Sequence, residues 1–352
     1  MIRSINGRID SKMRWHTLKR RSRLYRYFLR IKTMKDPSFQ KLVDQTADDY
    51  CRREQYRDKE AMVKTIYRFY RKYRVTPGEF EDFRLYGKTK QEIKEYFFLA
   101  ELSRVFSAGK KNHFPKDKYA RYNLFKDCFH RDIQRIESVS DSEKYDQFIN
   151  GKDRFMVKTI KGDKGKGVSS VESKDVPNIT AFSQRYELPV LLEEYIRQGK
   201  ELAEFHPSSI NTVRLVTAVN GQKVPIVVYA LFRSGQGGSV VDNVGSGGLI
   251  ALVDEKKGKI LTDALYDHDY YSEHPDTGKV FRGAEFPEWE KMVDIALKAH
   301  SGMKEQALIG WDFAWTESGW DLVEANPAPS FASWQTLSGK GIRPLLKELG
   351  VL

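Results

Sequence analysis

Two runs rich in aromatic and apolar residues, Ile309–Thr316 and Trp320–Pro327, flank the polar break Glu317-Ser318-Gly319. This pattern predicts a β-hairpin, and a hairpin dictates which residues face each other. With the turn centred on Ser318, opposed residues have numbers that sum to 636, so Asp312 faces Glu324 and Gly310 faces Asn326. Directly opposed side chains lie about 4.5–5.5 Å apart at Cβ. Two carboxylates at that spacing repel unless a cation or a proton sits between them. Asn326, two residues along the same face, adds a third oxygen. Oxygen-only ligands on a rigid hairpin suit Mg²⁺, which completes its shell with waters and substrate phosphates. The alternative is the solvated face of an ordinary hairpin, and the hairpin alone does not choose between them.

At 352 residues and 40% hydrophobic content, the chain can bury a sizeable core in two or more structural units. No uninterrupted apolar run approaches the roughly 20 residues of a membrane span, and the N-terminus has no apolar signal core, so no secretion signal is expected. Cys51 and Cys128 show no metal-ligand spacing and are expected to be reduced packing residues of a cytoplasmic protein. The charge is uneven: residues 1–75 hold 22 Lys/Arg and 8 Asp/Glu, a net of +14, leaving −2 for the remainder of a chain whose total is +12. In the densest stretch, Lys19–Arg30, the residues Leu24, Tyr27 and Phe28, continued by Ile31, fall at helical spacing among arginines. Such a helix suits peripheral contact with an anionic inner membrane face or a polyanion. It equally suits a solvated helix packed by its apolar stripe. No RNA-binding motif accompanies it, so nucleic acid is not an expected partner.

Three regions follow from the pattern. Residues 1–75 read as basic and helical, with a stripe at Val63, Ile66, Tyr67 and Tyr70 ended by Thr76-Pro77-Gly78. Residues 76–150 read as mixed and helical, with helices over 79–86, 90–103 and 123–135, the last carrying Phe125, Phe129 and Ile133. From residue 151 to 345, strand-like runs at 154–160, 190–196, 211–219, 224–232 and 248–253 alternate with glycine punctuation. Helices are expected at 287–300, with Trp289, Met292, Val293, Ala296 and Leu297 on one face, and at 341–349. The fold class is α+β behind a helical front.

The strand Phe155–Ile160 runs into Lys161-Gly162-Asp163-Lys164-Gly165-Lys166-Gly167-Val168. Gly162, Gly165 and Gly167 let the backbone approach an anion, and the lysines add charge. The spacing matches neither a P-loop nor a dinucleotide fingerprint, and an exposed hairpin turn is the competing reading. The order of parts is more specific: a strand lysine, a glycine-rich loop, an acidic segment after a strand, and a last carboxylate hairpin ending Glu324-Ala325-Asn326-Pro327. In this order, and in Leu191–Ile196, Ser209–Arg214 and Gly310-Trp311-Asp312, the sequence resembles the ATP-grasp superfamily, most closely its sugar-transfer-associated branch. The resemblance covers about residues 120–345 and leaves residues 1–75 unexplained.

The resemblance implies two α+β subdomains clasping ATP. Lys158 would contact the phosphates with the loop glycines, and Lys126 would be the earlier nucleotide lysine, with a surface lysine as its alternative. Glu193, Glu194, Tyr195 and Ile196 would form the adenine hinge, and Glu201 would hold the ribose. Asp312, Glu324 and Asn326 match the magnesium ligands. Arg214, costly in an apolar strand if unpaired, would meet the γ-phosphate or acyl phosphate, with a structural ion pair as the alternative. The turn Asp242–Gly248 would line an acceptor pocket or be a surface loop, and His206 reads as a loop or capping residue. The implied activity is a carboxylate–amine ligase acting through an acyl phosphate, with a sugar acid, amino acid or cell-surface polysaccharide precursor as substrates. Fold does not fix function. A kinase with a hydroxyl acceptor and a non-catalytic adaptor acting through the basic N-terminus remain open.

Overall fold

Caps divide the helical front. The computed structural model describes residues 31–106, 114–115, 117–160, 167–238 and 247–352, so the basic run at 19–30 lies outside the described residues. The chain forms two compact units, Met1–Lys88 and Thr89–Leu352. In the first, Asp36 caps α1 (Pro37–Arg53) and Asp58 caps α2 (Lys59–Tyr73), each accepting a backbone N–H. Arg74, in the left-handed region at φ 63°, ends α2. Thr76-Pro77-Gly78 both breaks the pattern and starts α3 (Pro77–Asp82). Thr76 and Glu79 form a reciprocal capping box there, with proline in the first turn, where its missing N–H costs nothing. The helix expected over 79–86 is shorter because Arg84 takes φ 47°. The buried face of α2 is Met62, Ile66 and Phe69 rather than the whole predicted stripe, since Val63, Tyr67 and Tyr70 stay half-buried.

In the second unit, the helix expected over 90–103 is broken into α4 (Lys90–Glu95) and α5 (Leu99–Phe106). Between them, Tyr96, Phe97 and Phe98 are all buried, and three consecutive buried aromatics cannot share one helical face. The extended backbone instead gives both polar groups of Phe97 to the Gln335 side chain, at 2.8 and 3.0 Å. Gly341 lies against this segment so closely that a Cβ there would sit 2.2 Å from the Glu95 carbonyl carbon.

The helix expected over 123–135 is not formed. The α6 helix (Lys118–Leu124) ends at Phe125, a 3₁₀ turn covers Lys126–Cys128, and Ile133–Ile136 is a strand, β1. The four-residue spacing of Phe125, Phe129 and Ile133 imitates a helix, but these side chains serve different neighbours. Phe125 packs at 5.0 Å on Trp311, whereas Ile133 pairs with Glu193 across a ladder.

A four-stranded sheet runs in the order β1-β4-β2-β3, with β2 at Arg154–Thr159, β3 at Val168–Glu172 and β4 at Val190–Glu194. One face carries Phe155, Val157, Val171 and Leu192 onto α7 (Ser142–Ile149) and α8 (Ile179–Ser183). The other face, with Ile133, Lys158, Leu191 and Glu193, turns to Tyr119 and Tyr122 of α6.

The α9 helix (Lys200–Ala203) leads to an eight-stranded sheet of β5 (Thr212–Val219), β6 (Pro225–Ser234), β7 (Leu249–Asp254), β8 (Lys259–Ile260), β9 (Ala264–Tyr266), β10 (Asp269–Tyr271), β11 (Leu308–Thr316) and β12 (Gly319–Asn326). Its path is β10-β9-β7-β6-β5-β11-β12, with β8 on β7. One face buries Val213, Leu215, Phe232, Ile309, Trp311 and Phe313 under α10 (Trp289–Ser301). The opposite face is covered over Val216, Tyr229, Leu231 and Leu308 by α11 (Ala332–Ser338) and α12 (Arg343–Glu348). The expected strands and terminal helices therefore form with boundary shifts of one or two residues. No helix among the described residues is long and apolar enough to cross a membrane, and Cys51 and Cys128 are free thiols.

Candidate functional site

The β11–β12 hairpin does oppose Asp312 with Glu324 and Gly310 with Asn326. The tip does not follow the same sum, because Phe313 pairs with Leu322 and Thr316 with Gly319. The turn is two residues, Glu317-Ser318, and Val323 is left as a β-bulge. Trp320 and Leu322 enter the core, and beyond the bulge Ala325 takes that face. Glu324 and Asn326 are thereby turned to the side of Asp312.

Across the next ladder Asp312 pairs with Arg214 of β5. Arg214 grips the carboxylate through Nε at 2.6 Å and Nη2 at 2.5 Å. Arg233 of β6 adds Nη1 at 3.1 Å. Asp312 is 4% exposed. Burial alone would raise its carboxyl, but Arg214 and Arg233 outweigh burial and hold it below the usual range. The two carboxylates thus escape repulsion because Asp312 is neutralised from β5 and β6. Glu324 keeps 43% of its side chain exposed, with Arg121 of α6 at 3.5 Å.

A second constellation stands on the four-stranded sheet. Lys158 Nζ donates to Glu193 Oε2 at 2.7 Å. The same oxygen accepts Nη2 of Arg131 at 2.9 Å, and Arg131 Nη1 reaches Asp321 Oδ2 and the Leu322 carbonyl, both at 2.7 Å. Burial would raise Glu193, yet Lys158 and Arg131 hold it at about 2. Lys118 opens α6 directly after its N-cap Asp117, which Arg135 fixes at 3.0 Å. Lys118 Nζ donates to the Thr159 carbonyl at 3.1 Å. Burial first, and then repulsion from Lys158, lower its ammonium below the ordinary value, while Glu324 and Glu193 pull the other way. Lys118 therefore feels both constellations at once.

The remaining expected residues are placed as follows. Lys126 is exposed on its 3₁₀ turn, and among the described residues it makes no ion pair with Glu193, Asp312 or Glu324. Lys118, which no motif singled out, interacts electrostatically with Glu193 and Glu324; an aspartate cap followed by lysine is the local signal that was available. Glu193 spends its carboxylate on two cations, while Glu194, Tyr195 and Ile196 beyond it remain half-exposed. The Glu194 carboxylate accepts the Asp132 N–H at 3.0 Å, and Tyr195 stacks under Arg154, 5.1 Å from its ring centre. Glu201 accepts Trp315 Nε1 at 2.8 Å. Gly162 and Gly165 lie outside the described residues, as does most of the Asp242–Gly248 turn. Gly167 takes φ 71°, and a Cβ there would fall 2.6 Å from Thr159 Oγ1, so only glycine closes this end of the loop. His206 is buried between Ser209 Oγ at 2.7 Å and the Gly237 carbonyl at 3.1 Å, a loop-fixing role.

The donor set suits a hard divalent cation: Glu324 is accessible, Asp312 and Asn326 share its face, and all donors are oxygens. Among the described residues no cluster of three or more His, Cys, Asp or Glu exists, so such an ion would rely on two carboxylates, an amide and groups from a ligand. Around this face stand the bases Lys118, Arg121, Arg131, Lys158, Arg214 and Arg233 against the acids Glu193, Asp312, Asp321 and Glu324. The positive surplus suits a polyanion.

The titratable groups give a signed expectation. Burial lowers His274 and His300 below the ordinary 6.5. The unfolded chain then binds protons first as pH falls, so their contribution is complete above 6.5 and lost below it. Glu193, ordinarily 4.5 and held at about 2, contributes above 4.5 and loses that contribution as pH falls towards 2. Urea midpoints measured from pH 8 to pH 3 are expected to decline in two stages, below 6.5 and again below 4.5. A flat profile to pH 4 would contradict the neutral, buried histidines.

Several solved structures are similar to this chain. D-alanine–D-alanine ligase from Helicobacter pylori matches with 17% identity and a TM-score of 0.40, over 67% of this chain and 58% of that one. The ATP-grasp ligase PsnB, complexed with minimal precursor, Mg and ADP, matches with 13% identity and a TM-score of 0.39, over 66% and 58%. N5-carboxyaminoimidazole ribonucleotide synthetase from Thermotoga maritima matches with 11% identity and a TM-score of 0.40, over 73% and 56%. The match thus spans under three-fifths of each of these proteins. No curated protein matches the chain. The family model described as sugar-transfer associated ATP-grasp matches residues 116–350, which include both constellations. The chain belongs to the sugar-transfer associated ATP-grasp family.

Proposed function

We propose that this protein is an ATP- and Mg²⁺-dependent carboxylate–amine ligase working through an acyl phosphate, with a sugar-linked molecule among its substrates. The observation that carries this reading is the row Glu324–Asp312–Arg214 across three strands, electrostatically coupled through Lys118 to the Lys158–Glu193 pair. Lys118 and Lys158 supply cations for the triphosphate. Glu194, Tyr195 and Ile196 leave a strand end half-open, which suits a flat base bound by backbone groups. Glu324, Asp312 and Asn326 would hold Mg²⁺, whose chemistry is to neutralise phosphate oxygens.

In the proposed reaction, a carboxylate oxygen of the first substrate attacks the γ-phosphorus, and the bridging oxygen leaves with ADP. The amine nitrogen then attacks the acyl carbon, inorganic phosphate departs, and the amine loses a proton. Asp312 holds Arg214 in a fixed direction, so the guanidinium needs no reorganisation as charge develops. No protein nucleophile takes part. The family's description as sugar-transfer associated supports a sugar acid, amino acid or polysaccharide precursor as a substrate. The basic stretch 19–30 suits peripheral contact with an anionic membrane face, which sedimentation with anionic vesicles tests.

The deciding experiment is a screen of carboxylates and amines, singly and paired, for ATP-dependent phosphate release. Release that requires both substrates, with an amide product, is the expected result. A stable phosphorylated product from a single hydroxyl acceptor would identify a phosphotransferase instead.

A further inference from the structure

Arg131 has a side chain only 5% exposed, and it joins two sheets with one guanidinium. Nη2 holds Glu193 on β4, and Nη1 holds Asp321 and the Leu322 carbonyl on β12, the strand that carries Glu324. Its Nε is buried without an acceptor among the described residues. As a device for stability alone this arrangement is poor, because buried charge clusters contribute little beyond what apolar packing would give. Glu193 also holds Lys158, through the same oxygen that Arg131 grips.

We propose that Arg131 is a positioning residue for nucleotide binding, aiming Lys158 through Glu193 while anchoring the strand of Glu324. The inference rests on the reading of Lys158 as a phosphate contact. Paired with Lys158 alone, the Glu193 carboxylate would draw the ammonium fully onto itself. Shared with Arg131, it still orients the ammonium, whose other two N–H donors remain available to an anion. Lysine cannot replace Arg131, because a single point charge reaches one partner where the planar fork reaches two.

The test is a nucleotide titration in Mg²⁺ buffer that measures the ATP dissociation constant of wild type, Arg131→Lys, Lys158→Met and the double variant. A charge-assisted hydrogen bond lost from the path predicts about tenfold weaker ATP binding for Arg131→Lys and at least as much for Lys158→Met. The double variant is expected to bind no more weakly than Lys158→Met, since Arg131 acts through that lysine. Equal penalties for Arg131→Lys on both backgrounds would mean independent effects and would overturn the proposal. So would unchanged ATP binding with a lowered unfolding midpoint. If Arg131→Lys does not fold, Asp321→Asn, which keeps Arg131 in place but loosens it, replaces it in the same cycle with the same criterion. If wild type fails to bind ATP, or Lys158→Met binds it normally, the phosphate role of Lys158 falls, and the inference with it.

Discussion

Asp312→Ala is expected to lower folding stability by about 3–5 kcal/mol, the usual result of leaving buried charges without their partner. The carboxylate is 4% exposed and gripped by Arg214 and Arg233. Its removal confronts two guanidiniums with each other between β5 and β6. Urea unfolding followed by circular dichroism measures the loss, with an unchanged denaturant slope expected because the surface exposed on unfolding is the same. A loss below about 1 kcal/mol would show that the arginines are not balanced by this carboxylate. Turnover is expected to vanish as well, since Arg214 loses the contact that directs it.

Glu324→Gln separates activity from stability. The side chain keeps 43% exposure, and Arg121 stands at 3.5 Å. Stability is therefore expected to change by no more than about 0.5 kcal/mol. ATP-dependent phosphate release is expected to fall by about 100- to 1000-fold, the scale for losing one electrostatic contact with developing charge, here made through the cation that Glu324 would hold. Full turnover in this variant would remove Glu324 from the cation site. Together the two variants separate the tasks proposed for two carboxylates that face each other: both would hold the cation, but only Asp312 also balances buried arginines.

Much of this site was legible in the chain because its parts are local. The hairpin announced itself through two apolar runs and a polar break, and the expected pairing of Asp312 with Glu324 holds because the Val323 bulge offsets a turn one residue shorter than expected. The strand of Lys158 was readable from alternation and from the glycines after it. What escaped detection depends on contacts between distant segments. Arg131 lies 190 positions from Asp321 and 62 from Glu193, and no local pattern links them. The electrostatic contact of Lys118 with Glu193 and Glu324 was hidden for the same reason, as was the break in the helix that the spacing of Phe125, Phe129 and Ile133 suggested. The packing of Phe125 on Trp311 and the pairing of Ile133 in a sheet decide otherwise. Arg214 was correctly suspected of needing a counter-charge, but the second arginine on Asp312, Arg233, lies on another strand and leaves no trace at that spacing.

The unpaired Val323 in the last hairpin has a bearing on how such a chain can change over generations. Side chains on a strand alternate strictly, so a one-residue slip exchanges its two faces. Val323 introduces one such slip between the tryptophan-bearing tip and the ligand-bearing base. Were Val323 paired regularly instead of bulged, it would stand beside Asp312 and Glu324 would turn towards the hydrophobic core. Deletion of Val323 therefore restores plain alternation with Glu324 still opposite Asp312, and the turn at Glu317-Ser318 can be remodelled without moving either carboxylate, whereas changes that flatten the bulge while keeping its residue invert the site.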